Sequence, residues 1–374
     1  MTMARRGIPI LVLVLLAAMP TAACGALPPG YVGISPQNQG TVKDYALMEK
    51  AGIKSVRMPL YWAGIESERP AISPRRWEGF DQEVRLAAKA GMEIFPFVTA
   101  SPEWIASDWT ELPVASHWQR RAWASFLRIA VRRYGPGGSF WRGEEELPYI
   151  PIKRWEIWNE ENIVTWASDP EPRRFAQLIR IAGRVIHREA PGSKVILGGL
   201  FGQPLQIPPN VASGDFLSRF YQAGRVKQYF DGVALHPYAA GARTMAAQLA
   251  DLRRIMREHG DPTTPLYVTE VGWGSAPGPS RWERGLYGQA RQLDKALSIL
   301  AANRLRWNVR GVWVFTWTDE GGGCIFCGSA GLLTAGREAK PAWYRFVEWT
   351  GGDPDAVRRM GERKPGGAEA VASE

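Results

Sequence analysis

Lysine and histidine are both scarce in this 374-residue chain. Ten lysines stand beside 36 arginines, and the 46 cations exceed the 37 acids to give a formal net charge of +9. These charges are scattered, and no element carries the basic stripe of a nucleic-acid-binding face, so no nucleic-acid partner is expected. The four histidines form no cluster at strand ends, which sets aside a metal hydrolase and leaves no metal or organic cofactor to be expected. Cysteine is limited to Cys24, Cys324 and Cys327. The last two have no histidine nearby and cannot complete a structural zinc site. They lie in a glycine loop rather than at a helix start, which speaks against a thioredoxin-like redox role. What the chain has in excess is tryptophan, with 17 residues. Indole faces are costly on a surface unless they fill a core or stack on a flat ligand such as a sugar or a base.

Arg5 and Arg6 precede an apolar run over residues 8–18, and the small residues Thr21, Ala22 and Ala23 lead to Cys24. The run is short for a bilayer span, and the three parts together make up a secretory signal. Segment 1–24 is therefore expected to direct export to an extracellular or cell-surface location. The stretch from Thr21 to Cys24 also resembles a bacterial lipobox, in which Cys24 would be lipidated, although Thr21 stands where Leu is usual. Lipidation, ordinary cleavage and retention as an uncleaved anchor all stay open, and a membrane is expected as a partner only through this segment. In an oxidising compartment Cys324 and Cys327 are expected to form a small-loop disulfide. The oligomeric state is not indicated.

From residue 30 to 350, short β-branched or aromatic runs alternate with helical-period segments, the pattern of a parallel sheet with crossover helices. Candidate strands are 31–35, 55–59, 93–98, 154–159, 194–198, 232–236, 266–270 and 311–316, each followed by a candidate helix. Eight such units predict a single-domain α/β fold, the (β/α)8 TIM barrel. The tail 351–374, rich in Gly, Ala, Glu and Arg without apolar period, is expected to be disordered.

In such a barrel the active site lies at the C-terminal ends of the strands. There the sequence offers Arg57 at the second, Asn159 and Glu160 at the fourth, His236 and Tyr238 at the sixth, Glu270 and Trp273 at the seventh, and Trp317 at the eighth. Two carboxylates on strands four and seven face each other across the mouth, as glycoside hydrolysis requires: one protonated to assist the leaving oxygen, one ionised to attack the anomeric carbon. Read singly, Glu160 is as well explained by a helix cap, His236 by a strand cap, and Trp273 and Trp317 by a core. Glu156 shares strand parity with Glu160 and is read as a deeper, ion-paired acid held by Arg57.

The stretches WEIWNEEN (155–162), ALHPY (234–238) and YVTEVGW (267–273) resemble the retaining glycoside hydrolases of clan A. TASPEW (99–104) and the strand-five ending Gly198-Gly199 are most similar to family 39, and next to family 5. The resemblance implies Glu160 as general acid/base, Glu270 as nucleophile and Asn159 as the group that holds the sugar 2-hydroxyl. It implies Arg57 with His236 or Tyr238 as partners tuning Glu270, Trp317 as the platform under the sugar, and a carbohydrate substrate with no cofactor. The β-sandwich that many family 39 members append has no counterpart in this sequence, so the glycan stays open. A transglycosidase would use the same carboxylates. A surface carbohydrate-binding pseudoenzyme would need no such pair.

Overall fold

Runs of Val, Ile, Leu and aromatic residues are hydrophobic on both sides of the chain, as parallel strands covered on both faces must be. In the computed structural model, which describes residues 27–203, 207–321 and 323–362, they form eight strands: β1 (Val32–Ile34), β2 (Ser55–Tyr61), β3 (Glu93–Thr99), β4 (Arg154–Ile157), β5 (Lys194–Phe201), β6 (Gly232–His236), β7 (Leu266–Val271) and β8 (Val309–Val314). Each pairs in parallel with its sequence neighbours, and β1 pairs with β8 to close the barrel. The helices are α1 (Val42–Lys50), α2 (Trp62–Ile65), α3 (Glu78–Lys89), α4 (His117–Tyr134), α5 (Ser139–Gly143), α6 (Pro172–Glu189), α7 (Ser213–Gln222), α8 (Ala242–Glu258), α9 (Leu286–Trp307), α10 (Pro341–Thr350) and α11 (Ala356–Glu362). The starts of α1 and α4 are fixed by reciprocal capping boxes, Thr41 with Asp44 and Ser116 with Gln119, which satisfy backbone N–H groups left free at a helix start. No described helix is long and apolar enough to cross a membrane. Cys24 and the rest of segment 1–24 lie outside the described residues.

The barrel interior is layered. Phe95, Ile196, Ala234, Tyr267 and Trp313 form a dry plug. Two residues further along the same strands the inward positions turn polar or open: Ala234 gives way to His236, Tyr267 to Thr269 and Trp313 to Phe315. Arg57 and Glu156 enter through the register, since Arg57 lies opposite Phe95 and Glu156 opposite Phe97. A polar layer thus sits on an apolar floor.

One expectation is corrected, and one alternative left open is decided. The tail is not disordered throughout: α11 places Ala356, Val357 and Met360 against the core, and the Trp343 indole donates to the Pro354 carbonyl at 2.9 Å. The Ala356–Val357–Met360 spacing is an apolar helix stripe that the surrounding charges hide. The tryptophans are mainly core. Trp62, Trp123, Trp155, Trp158, Trp273, Trp313 and Trp343 are among the largest fully buried side chains.

Candidate active site

One guanidinium organises the polar layer. Arg57 is wholly buried and forms a bidentate pair with Glu156, Nε to Oε2 at 2.7 Å and Nη2 to Oε1 at 2.9 Å. Its Nη2 also donates to Asn159 Oδ1 at 2.8 Å and its Nη1 to Glu270 Oε1 at 2.7 Å. The Phe97 ring covers the guanidinium at 4.1 Å. Burial lifts the Glu156 carboxyl above its ordinary value while Arg57 opposes the rise. A guanidinium cannot surrender its proton in a protein, so the bidentate partner is held as the anion.

β4 ends at Ile157, two residues sooner than the sequence pattern predicts, and the chain turns with positive φ at Trp158 (73°) and Glu160 (43°). Such angles are uncommon outside glycine and mark a shape imposed by the surroundings. Trp158 is pinned by its backbone N–H to Val98 O at 2.9 Å and its indole to Trp166 O at 2.6 Å. Glu156 and Glu160 do face the same interior, but this bend, not strand parity, turns Glu160 inward.

β7 and β5 each carry a bulge. Between Val268 and Val271, three steps of β7 match two of β8, so Thr269 and Glu270 both reach the mouth. Between Leu197 and Leu200, β5 makes the same slip across Gly198 and Gly199. A Cβ on Gly199 would lie 1.9 Å from His236 Nε2, and one on Gly198 2.2 Å from Glu161 Oε2. The two glycines therefore make room for a catalytic-layer ring and a buried acid.

Glu160 is buried, and one of its oxygens lies 2.8 Å from His236 Nδ1. Burial first, then the negative charge of Glu270, push its carboxyl well above the usual range. Burial and Arg57 hold the His236 imidazole well below its ordinary value, so the ring is neutral. Glu270 is more open, and both its oxygens are engaged: Oε1 by Arg57 and Oε2 by the Tyr238 hydroxyl at 2.6 Å. One oxygen of each glutamate and one His236 nitrogen all lie within 4.8 Å of one another. This triangle could in principle offer three donors to a cation. A divalent ion there would have to displace Arg57 and Tyr238 from Glu270 against a buried positive charge 2.7 Å away. The arrangement suits proton transfer better than metal binding.

Arg57, Asn159, Glu160, His236, Tyr238 and Glu270 are thus brought together, and of the two candidates left open beside Arg57 it is Tyr238 that partners Glu270, while His236 partners Glu160 and stays 3.7 Å from Glu270. The two tryptophans are not at the site. Trp317 is buried, with its indole donating to Asp44 at 3.1 Å and its ring edge-on to Trp343. Trp273 is buried and donates to Ala239 O at 2.8 Å. The reason is register: β8 ends at Val314, and the residue in line with Trp313 at the mouth is Phe315. Phe315 is partly exposed and packs with Tyr238 and Phe326. Cys324 and Cys327 are joined by a disulfide, as expected from the sequence. Between them Phe326 packs on Tyr238 with ring centres 5.3 Å apart, so the loop braces the partner of Glu270. Thr269 was also missed. Its signal is weak but present, an inward position two residues after Tyr267.

No protein-family model matches the chain, and no curated protein matches it. Solved structures do. A family 39 glycoside hydrolase from the gut symbiont Bacteroides cellulosilyticus WH2 superposes with a TM-score of 0.63 at 18% identity, over 86% of this chain and 63% of that one. A monomeric beta-xylosidase from Caulobacter crescentus CB15 gives 0.59 at 15%, over 86% and 68%. Xylanase 10B from Thermotoga maritima gives 0.59 at 15%, over 88% and 97%. The chain thus spans less than two thirds of the first of these and nearly all of the last. At such identities the likeness establishes the fold: this chain is a (β/α)8 barrel of the kind found among glycoside hydrolases of families 39, 5 and 10.

Proposed function

We propose that the protein is a retaining glycoside hydrolase that cleaves O-glycosidic bonds, β-linked in our reading, of an oligo- or polysaccharide. The observation that carries this is the approach of the two glutamates, whose oxygens come within 4.8 Å across the mouth. Retaining enzymes hold their carboxyls ~5–5.5 Å apart, whereas inverting ones leave ~6.5–9.5 Å for a water. A Glu270 oxygen bonds to the anomeric carbon as the bond to the leaving oxygen breaks, and Glu160 gives that oxygen its proton. Glu160 then takes a proton from water, the hydroxide attacks the same carbon, and the ester to Glu270 breaks. Asn159 has its Oδ1 engaged by Arg57, which leaves its amide N–H groups to donate to the sugar 2-hydroxyl. Phe315, backed by the buried Tyr238 and Phe326, offers an aromatic flank to the sugar. The leader pattern over residues 1–24 supports action outside the cytoplasm, whether free, tethered through Cys24 or held by an uncleaved anchor.

Incubation with a fluorinated glycoside that forms the ester but discharges it slowly should label the peptide containing Glu270. NMR of the first product should show the starting anomer. An inverted first product, or a label on Glu160 or Glu156, rejects the assignment.

A further inference from the structure

Beneath the two glutamates a chain of hydrogen bonds runs through a residue that the double displacement does not use. Thr269 Oγ1 lies 3.3 Å from Glu156 Oε1 and 3.0 Å from His236 Nε2, and the other ring nitrogen faces Glu160. Every member of this chain is buried. We propose that Thr269, anchored on Glu156, is a positioning residue that fixes His236 as the tautomer protonated on Nε2, so that its bare Nδ1 accepts the acid proton of Glu160.

Donor supply decides the tautomer. Glu156 is bound bidentately by Arg57 and is an acceptor only, so the single hydroxyl proton of Thr269 is drawn to it. The Thr269 oxygen is then left to accept, and among the described residues the donor facing it is His236 Nε2–H. Nδ1 consequently carries a lone pair, and the short contact to Glu160 is closed by the carboxylic acid donating. The electrostatics agree. Glu160 is faced by Glu270 from β7, by Glu156 and Glu161 from its own segment, by Arg57 from β2 and by His236 and Tyr238 from β6. Burial and the acids among these favour its neutral form, and burial with Arg57 keeps His236 neutral. A hydrogen bond accepted from the neutral acid favours that form further. A ring free to turn over its tautomer would donate from Nδ1 and stabilise the carboxylate instead. Rotation of the ring away is blocked on one side, because Nε2 lies against Gly199 where no Cβ would fit.

The catalytic consequence rests on the glycosidase reading, but the tautomer does not. With four histidines in the chain, ¹⁵N-histidine labelling of the full-length protein resolves each ring, and His236→Asn assigns the signal. Expected are a protonated Nε2 and bare Nδ1 in the wild type and in Thr269→Ser, and a shift toward Nδ1–H in Thr269→Val. On an unactivated glycoside the basic limb of kcat/KM should move down by about one pH unit in Thr269→Val, recover in Thr269→Ser, and stay put for a substrate whose leaving group needs no proton. A wild-type ring protonated on Nδ1 overturns the proposal, and so does Thr269→Val with an unchanged tautomer and profile. Should Thr269→Val fail to fold, the wild-type and Thr269→Ser spectra still decide. Correct tautomers with no turnover on any glycoside would reject the glycosidase reading and leave the lock standing.

Discussion

Glu160 and Glu270 carry the same side chain at the same height of one barrel, yet their neighbours differ in kind. Around Glu160 the nearest partner is a neutral ring, the site is dry, and the closest charges are mostly negative. Around Glu270 the partners are a guanidinium and a phenol, both donating, and the carboxyl retains 12% of its exposure. In the proposed mechanism an acid and a nucleophile are thus made from one residue type by what surrounds each, the pattern that lets paired carboxylates take opposite roles. The lesson is that position along the strand selects the residue, while the adjoining strands select its chemistry.

The comparison is broken most completely by removing the more open partner. Glu270→Gln keeps the shape but not the charge, leaves one oxygen to accept where Arg57 and Tyr238 both donate, and should lower kcat/KM by roughly four to six orders of magnitude, with loss of covalent labelling. Residual activity close to wild type would show that the donors around Glu270 do not serve a nucleophile. Glu160→Ala should cost about a hundredfold to ten-thousandfold on glycosides with poor leaving groups and far less on activated ones. Equal losses on both would remove the distinction between the two sides.

Arg57→Met removes what the two sides share. Glu156 would be left as a buried acid without its counter-charge, so stability in denaturant melts should fall by about 3–5 kcal/mol, together with activity. A variant that is inactive but fully stable would mean that Glu156 is held by other contacts.

Glu161 sharpens the contrast in a different way, since it is a neighbouring acid that chemistry does not use. Both its oxygens are buried with no side-chain partner among the described residues, and burial raises its carboxyl well above 4.5. In the unfolded chain it ionises in the ordinary range, while the folded protein keeps its proton. Its contribution therefore favours folding at acid pH and is lost as pH rises from about 4.5 through the folded value. Glu161→Gln should flatten that loss, giving a Tm advantage that grows with pH above this point. An advantage independent of pH would contradict a protonated Glu161. The smallest effect is expected of the disulfide. The loop encloses two residues, so reduction should barely move Tm, while KM should rise as Phe326 loosens from Tyr238. A Tm drop without a KM change would reverse the assignment of that loop from site to scaffold.

The barrel was legible because eight buried strands leave a coarse, repeated signal, and Glu160 and Glu270 were legible because they end two of them beside aromatic residues. What parity could not supply was fine register. Early ends to β4 and β8 and bulges in β5 and β7 each move a side chain by one or two positions. That shift is enough to put Phe315 rather than Trp317 at the mouth. Whether His236 or Tyr238 partners Glu270 stayed open in the sequence, because a choice between two carboxylates a few ångströms apart depends on side-chain orientation rather than residue type. Thr269 carries only the weak mark of an inward position two residues after Tyr267; its role exists because Glu156 and His236 arrive on either side of it.

Arg57 also bears on how the chain reaches its native state. Its carboxylate partners are supplied 99 and 213 residues later in the sequence, and contacts of such separation are among the slowest to form. During synthesis β2 emerges long before β7. Until the last strands dock, the guanidinium has no complete set of acceptors and cannot be sealed inside at low cost. A chain truncated before β7 should accordingly remain open to protease at β2, and protection there should appear together with protection at β7. The polar layer would then act as a checkpoint on barrel closure, admitting the dry interior only when the pieces of the site have all arrived.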